Sequence, residues 1–159
     1  MTQLQRLNEM EKQAQLDKLG NDPYKIKIFG MLYEKHSDKT ERGLIKAIEA
    51  WFKFHGGLCR RINTMGRYLP GKTISKGFYG NVNTKGKYIP TTSVLGAADL
   101  SIIKNKISWE LEIKIGTDRQ SQVQKEYQKK VEAEGSIYTI VHNFDEFIEQ
   151  YNKIFPSND

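Results

Sequence analysis

Between Ile107 and Ile115 the chain alternates, with Trp109, Leu111, Ile113 and Ile115 on odd positions and Ser108, Glu110, Glu112 and Lys114 on even ones. A period of two sends each set to its own side of a strand, so this segment demands a sheet with one buried apolar face. The apolar run Ala97–Ile103 precedes it across Lys104, Asn105 and Lys106, which predicts a hairpin. Pairing the two runs brings Asp99 toward Glu112, where a divalent cation can bridge them, while Lys114 points the same way as Glu112. Carboxylates beside an ammonium are the equipment for hydrolysing a phosphodiester. The same Glu-x-Lys pattern also serves merely to keep an edge strand soluble, so the surrounding elements must decide.

A chain of 159 residues, 38% hydrophobic and 28% charged, suits one soluble domain with a real core. No apolar run reaches membrane-spanning length, and Met1–Lys12 is too polar for a signal peptide. A single cysteine, Cys59, excludes an internal disulfide and a multi-cysteine zinc site, and fits a reducing cytoplasm. Its apolar surroundings suggest a small buried hydrophobe. The formal net charge of +6 points to a polyanionic partner, most often nucleic acid. Between Arg60 and Lys87 stand Arg60, Arg61, Arg67, Lys72, Lys76, Lys85 and Lys87, with Lys53 nearby and no acidic residue. Tyr68, Phe78, Tyr79 and, just beyond, Tyr88 are interleaved with them among glycines. Such a stretch can hold phosphates and stack bases, or it can be an ordinary solvated hairpin.

Residues 2–19 predict a polar helix with a thin apolar stripe, stopped by Gly20 and Asn21. Asp22-Pro23 opens a second short helix to about Lys35, although Ile26 and Ile28 also alternate like a strand. This N-terminal region reads as an accessory element. Asp38-Lys39-Thr40-Glu41 has a capping-box pattern ahead of Leu44, Ile45, Ile48, Trp51 and Phe52, predicting an amphipathic helix that ends at Gly56-Gly57. Glu41 falls on the apolar stripe, either as a first-turn helix residue or as an inward-facing site residue. A short strand follows at Leu58–Asn63, then the basic loop, the two strands above, and a helix from Arg119 to Glu134 bearing Val123, Tyr127 and Val131. Ile137–Val141 is a further strand, and Asn143 caps a last helix carrying Phe144, Phe147, Ile148, Tyr151 and Ile154. From residue 39 the order is α-β-β-β-α-β plus a closing helix.

Gly66 to Thr73 satisfies GxxxxGK[ST], which would put Lys72 on phosphates and Thr73 on a magnesium ion. That site needs a helix next. Ile74 to Asn81 is too rich in glycine for one, so no nucleoside triphosphate is expected as a partner. His36, His55 and His142 show no ligand spacing, and no serine or cysteine nucleophile motif is present.

The ordered pieces Gly96-Ala97-Ala98-Asp99, Glu112-Ile113-Lys114 and Asp118-Arg119-Gln120-Ser121-Gln122-Val123-Gln124, followed by Gly135 and a strand, resemble the VRR-NUC family, a branch of the PD-(D/E)XK nuclease superfamily. The resemblance runs over residues 38–151; Ala98 replaces the superfamily's proline, and the insert between Asn63 and Gly96 is long. It implies a restriction-endonuclease-like α/β fold, an α-β-β-β-α-β core with a mixed sheet flanked by helices. Residues 38–159 would be the nuclease domain, with a basic Gly/Tyr-rich insert at 64–95, and residues 1–37 an N-terminal helical extension. Asp99 and Glu112, aided by the Ile113 carbonyl and by Glu41, would hold Mg²⁺ or Mn²⁺. Lys114 would orient the attacking water and Gln124 would position Lys114 or the substrate phosphate, while Asp118, Arg119 and Ser121 would shape the start of the helix. Glu110 is expected farther out. Arg60, Arg61, Arg67, Lys72, Lys76, Tyr79, Lys85 and Lys87 would bind the nucleic acid.

The implied activity is a metal-dependent DNA endonuclease, selective for branched, flap or junction DNA. Small standalone relatives from bacteriophages or bacteria resemble junction resolvases and act as dimers, cytoplasmic in the bacterial cell or infected host. A non-catalytic nucleic-acid-binding module, or a virion-associated protein, would keep the same fold without the reaction.

Overall fold

The computed structural model describes residues 1–20, 22–62, 67–71, 73–75, 81–89 and 94–156. Its elements run α1 (Gln3–Leu19), α2 (Pro23–Leu32), α3 (Glu41–His55), β1 (Leu58–Arg61), four short strands β2 (Arg67–Leu69), β3 (Thr73–Ser75), β4 (Asn81–Asn83) and β5 (Lys87–Ile89), then β6 (Leu100–Lys104), β7 (Ile107–Ile113), α4 (Gln122–Ala133), β8 (Ile137–Val141) and α5 (Phe144–Ile154). The protein is α/β. Its main sheet has the order β1-β6-β7-β8, with β1-β6 and β6-β7 antiparallel and β7-β8 parallel, so α4 is the crossover between two parallel neighbours.

The alternation of β7 sorts the two sides of this sheet. Trp109, Leu111 and Ile113 join Leu100, Ile102 and Val141 in a core completed by Leu44, Ile48 and Phe52 of α3 and Phe144, Phe147 and Tyr151 of α5. Aromatic rings knit this layer: Trp109 stacks on Phe147 at 5.8 Å and 3°, and Trp51 meets Phe144, Phe147 and Tyr151 edge-on. Burying each such large side chain contributes roughly 1.5–3 kcal/mol. Leu7 of α1 is fully buried in the same cluster, so the N-terminal helix packs into the core rather than standing apart.

The opposite side of β7 is not wet. Glu110, Glu112 and Lys114 are 7%, 1% and 7% exposed. Helix α4 lies over this side, where Tyr127 meets Tyr138 of β8 edge-on. None of its residues is buried, so its long polar side chains form the cover. The expected strand with one buried face is therefore a strand buried on both.

Local signals set most boundaries. Asp22 caps α2 by accepting from the Tyr24 and Lys25 amides, with Pro23 at the first helical position, and α2 ends at Leu32. Helix α3 starts later than the capping-box pattern suggests. Thr40, not Asp38, is its N-cap and accepts from the Gly43 amide, while Asp38 accepts from the Phe144 amide and ties the start of α5 to this loop. Asn105 and Lys106 turn the β6-β7 hairpin with positive φ of 50° and 67°. The segment after Lys72 is β3, a strand, where a phosphate loop would need a helix.

Candidate active site

The β6-β7 register decides where the carboxylates meet. Leu100 faces Leu111, which sets Asp99 across from Glu112, one step beyond the ladder. Asp99 precedes β6 rather than lying within it. Its carboxylate Oδ2 accepts from the Ile113 amide at 2.8 Å, and its own carbonyl accepts from the Ile62 amide at 2.8 Å. The residue is thus pinned between the end of β1 and β7.

Glu112 anchors a polar cluster. Its Oε1 pairs with Lys114 Nζ at 2.9 Å and accepts from Gln124 Nε2, while Oε2 accepts a long bond from the Tyr138 hydroxyl at 3.5 Å. Gln124 Oε1 in turn accepts from Lys114 Nζ at 3.3 Å and from the Ser121 amide at 2.9 Å. One glutamine therefore completes the capping box of α4 and touches both members of the ion pair. Lys114 Nζ also lies 3.4 Å from Asp118 Oδ2.

Gly96 makes this packing possible. Its φ is +78°, and a Cβ there would lie 2.5 Å from the Val123 carbonyl oxygen, so the loop before Asp99 rests directly on the first turn of α4. Between these two segments opens a cleft of about 490 Å³ lined by Gly96, Lys114, Asp118, Arg119, Ser121 and Gln124.

The electrostatics follow from burial. Desolvation raises the pKa of Glu112, and neighbouring Asp99 raises it further. Desolvation likewise raises that of Asp99; Glu41 adds to this, while the Ile113 amide, Lys114 and Arg61 work against it. For Lys114, burial disfavours the ammonium, but Glu112 and Asp118 outweigh it and its pKa is raised. Two desolvated carboxyls, one of them further disfavoured from ionising by the other, with oxygen donors only, suit a hard cation such as Mg²⁺ or Mn²⁺. Among the described residues, no three His, Cys, Asp or Glu side chains are already gathered around one point.

Glu41 is the first residue of α3 and about half exposed, not inward-facing. It stays within electrostatic reach of Asp99, and its Oε1 lies 3.7 Å from Arg61 Nη2. Glu110 does sit one row away from Glu112, yet it is buried, bonded to Ser101, with Oε2 lacking a partner. Arg60, Arg61, Lys85 and Lys87 are exposed, and Arg67 belongs to β2. Lys72, Lys76 and Tyr79 lie outside the described residues. Cys59 is only partly buried; burial pushes its thiol up to about 12. The histidines are separately engaged, His36 with Glu11, His55 stacked on Trp51 and His142 with Glu146.

Two contributors escaped the sequence reading. Tyr138 bonds Glu112 and, through its hydroxyl, accepts from Gln120 at 3.4 Å. Asp118 touches Lys114 rather than only shaping the helix start. The alternation of β8, which puts Tyr138 on the side of Glu110, was the available signal for the first. Among the described residues no helix is long and apolar enough to cross a membrane. Compared with known protein families and curated proteins, the chain matches no family model and no curated sequence.

Proposed function

We propose that the chain is a divalent-metal-dependent DNA endonuclease with a PD-(D/E)XK-type core, acting on branched, flap or junction DNA. The observation that carries this reading is the placement of Asp99, just before β6, across from Glu112 of β7, with Lys114 on the same side and Gln124 bridging Glu112 to Lys114. Asp99 and Glu112, with the Ile113 carbonyl and Glu41 close by, are the residues that would hold Mg²⁺ or Mn²⁺. Such a cation supplies Lewis acidity toward a phosphodiester oxygen. The chain's own groups do the rest. Lys114 donates to the attacking water and offsets negative charge developing on the phosphate. Gln124 holds that ammonium in place, and Tyr138 orients Glu112 from the far side. The exposed cations Arg60, Arg61, Lys85 and Lys87 bind the sugar-phosphate backbone.

The test uses labelled junction, flap, nicked and linear DNA with Mg²⁺, Mn²⁺ or EDTA. The wild type should cut a branched substrate only with the metal. Asp99→Asn, with an unchanged circular dichroism spectrum, should cut at least about a hundredfold more slowly while still binding. Binding without metal-dependent cleavage by the wild type overturns the reading.

A further inference from the structure

The insert between β1 and β6 carries a feature the site does not use. β2 and β5 form an antiparallel ribbon in which Tyr68 is the direct partner of Tyr88. Directly opposed residues project from the same side of a ribbon. Both rings stand in solvent, 63% and 60% exposed, a large aromatic surface that the fold leaves uncovered. Tyr68 is also seated. A Cβ on Gly86 would fall 1.9 Å from its hydroxyl and 2.5 Å from Cζ, so its ring lies against bare glycine backbone on the partner strand's side. A ring already placed in this way loses little freedom when something stacks on it.

The charge around the pair points to its partner. No acidic residue occurs from position 50 to position 98, and exposed Lys85 and Lys87 stand just before Tyr88. Cations interleaved with exposed aromatics match a polyanion that offers flat apolar faces, which is nucleic acid with unpaired bases. Both ends of the insert join the protein at the site. The chain leaves the sheet where the Ile62 amide bonds the Asp99 carbonyl, and returns through Val94 and Ala97, which bond each other at 3.2 Å, to Asp99 itself.

We propose that Tyr68 and Tyr88 form a stacking platform for unpaired bases, so that the ribbon selects DNA with a single-stranded segment next to the cut. This deepens the nuclease reading and rests on its nucleic-acid partner. The stacking step makes and breaks no covalent bond.

The experiment is fluorescence anisotropy in EDTA, comparing a labelled single-stranded oligothymidine with a blunt duplex. Tyr68→Ala and Tyr88→Ala should each weaken single-strand binding on the order of tenfold and duplex binding by less than about threefold. Phe at either position should retain binding, and Leu should lose it, because stacking needs a π face rather than apolarity alone. Gly86→Val, which displaces the Tyr68 ring, should behave like Tyr68→Ala. Equal losses on both DNAs, full activity of the Leu variants, or no loss would overturn the platform. Failure here leaves metal-dependent cleavage by the wild type intact, whereas failure of the nuclease reading appears as no cleavage with this binding pattern unchanged.

Discussion

Removing the ammonium from the buried pair while leaving its carboxylate should be costly, and the cost should depend on pH. At 2.9 Å, Lys114 and Glu112 attract by about 6 kcal/mol at an effective dielectric of about 20. Dehydrating both groups offsets much of this, yet a charge stranded by loss of its partner typically costs about 3–5 kcal/mol. Gln124 and Tyr138 still bond Glu112, which places Lys114→Met at the lower end, about 3 kcal/mol. For a chain of this length that lowers the melting temperature by on the order of 10 °C. The sign with pH follows from Glu112. Its pKa is already raised by burial and rises further without Lys114, so the folded state binds more protons than the unfolded state. Stability is then retained in acid and lost as pH rises through the folded pKa. The gap between Lys114→Met and wild type should therefore be narrow near about pH 5 and wide near about pH 8. Glu112→Gln/Lys114→Met, which removes both charges, should recover to within about 1 kcal/mol of wild type at the higher pH. Thermal melts by circular dichroism at both pH values, for wild type and the three variants of the cycle, give the coupling directly. A single variant as stable as wild type near pH 8, or a loss independent of pH, would refute the stranded-charge account.

Gly96→Ala should lower stability by on the order of 2 kcal/mol, because the new Cβ meets the Val123 carbonyl at a positive φ; calorimetry measures it, and cleavage should fall with it as α4 shifts. Glu110→Gln should raise the melting temperature near about pH 8 and change it little near about pH 4.5. Burial raises that carboxyl's pKa against weaker opposing effects of Ser101 and Arg60, so its ionised form opposes folding only above the folded pKa.

The helices α3 and α5 and the β6-β7 hairpin were legible because each buries one continuous apolar set, which leaves a strict period in the sequence. The polar side of β7 was misread as solvated for a physical reason. The cover comes from α4, whose apolar stripe is thin and whose glutamines do the covering, so no hydrophobic pattern announces it. Asp99, Glu112 and Lys114 could be gathered because the alternation and the turn between the two runs imply the hairpin pairing, whereas Gln124, on helix α4, came only from the family resemblance. Glu41 could not be oriented that way. Its direction depends on where α3 begins, and the choice between Asp38 and Thr40 as cap was made by Phe144, 106 residues away. Tyr138 was missed because the alternation of β8 gives only its side of that strand, while the register of a parallel neighbour reached through a helix leaves no local signal.

The aromatic layer has an optical consequence. Both tryptophans, Trp51 and Trp109, are buried in the core between the sheet and helices α3 and α5, on the side away from Glu112 and Lys114. Native emission should accordingly be blue-shifted and should follow unfolding of that layer, while staying nearly blind to ions or DNA bound on the opposite side. An indole introduced at Tyr88 would emit at longer wavelength, giving a ribbon signal spectrally separable from a built-in internal standard.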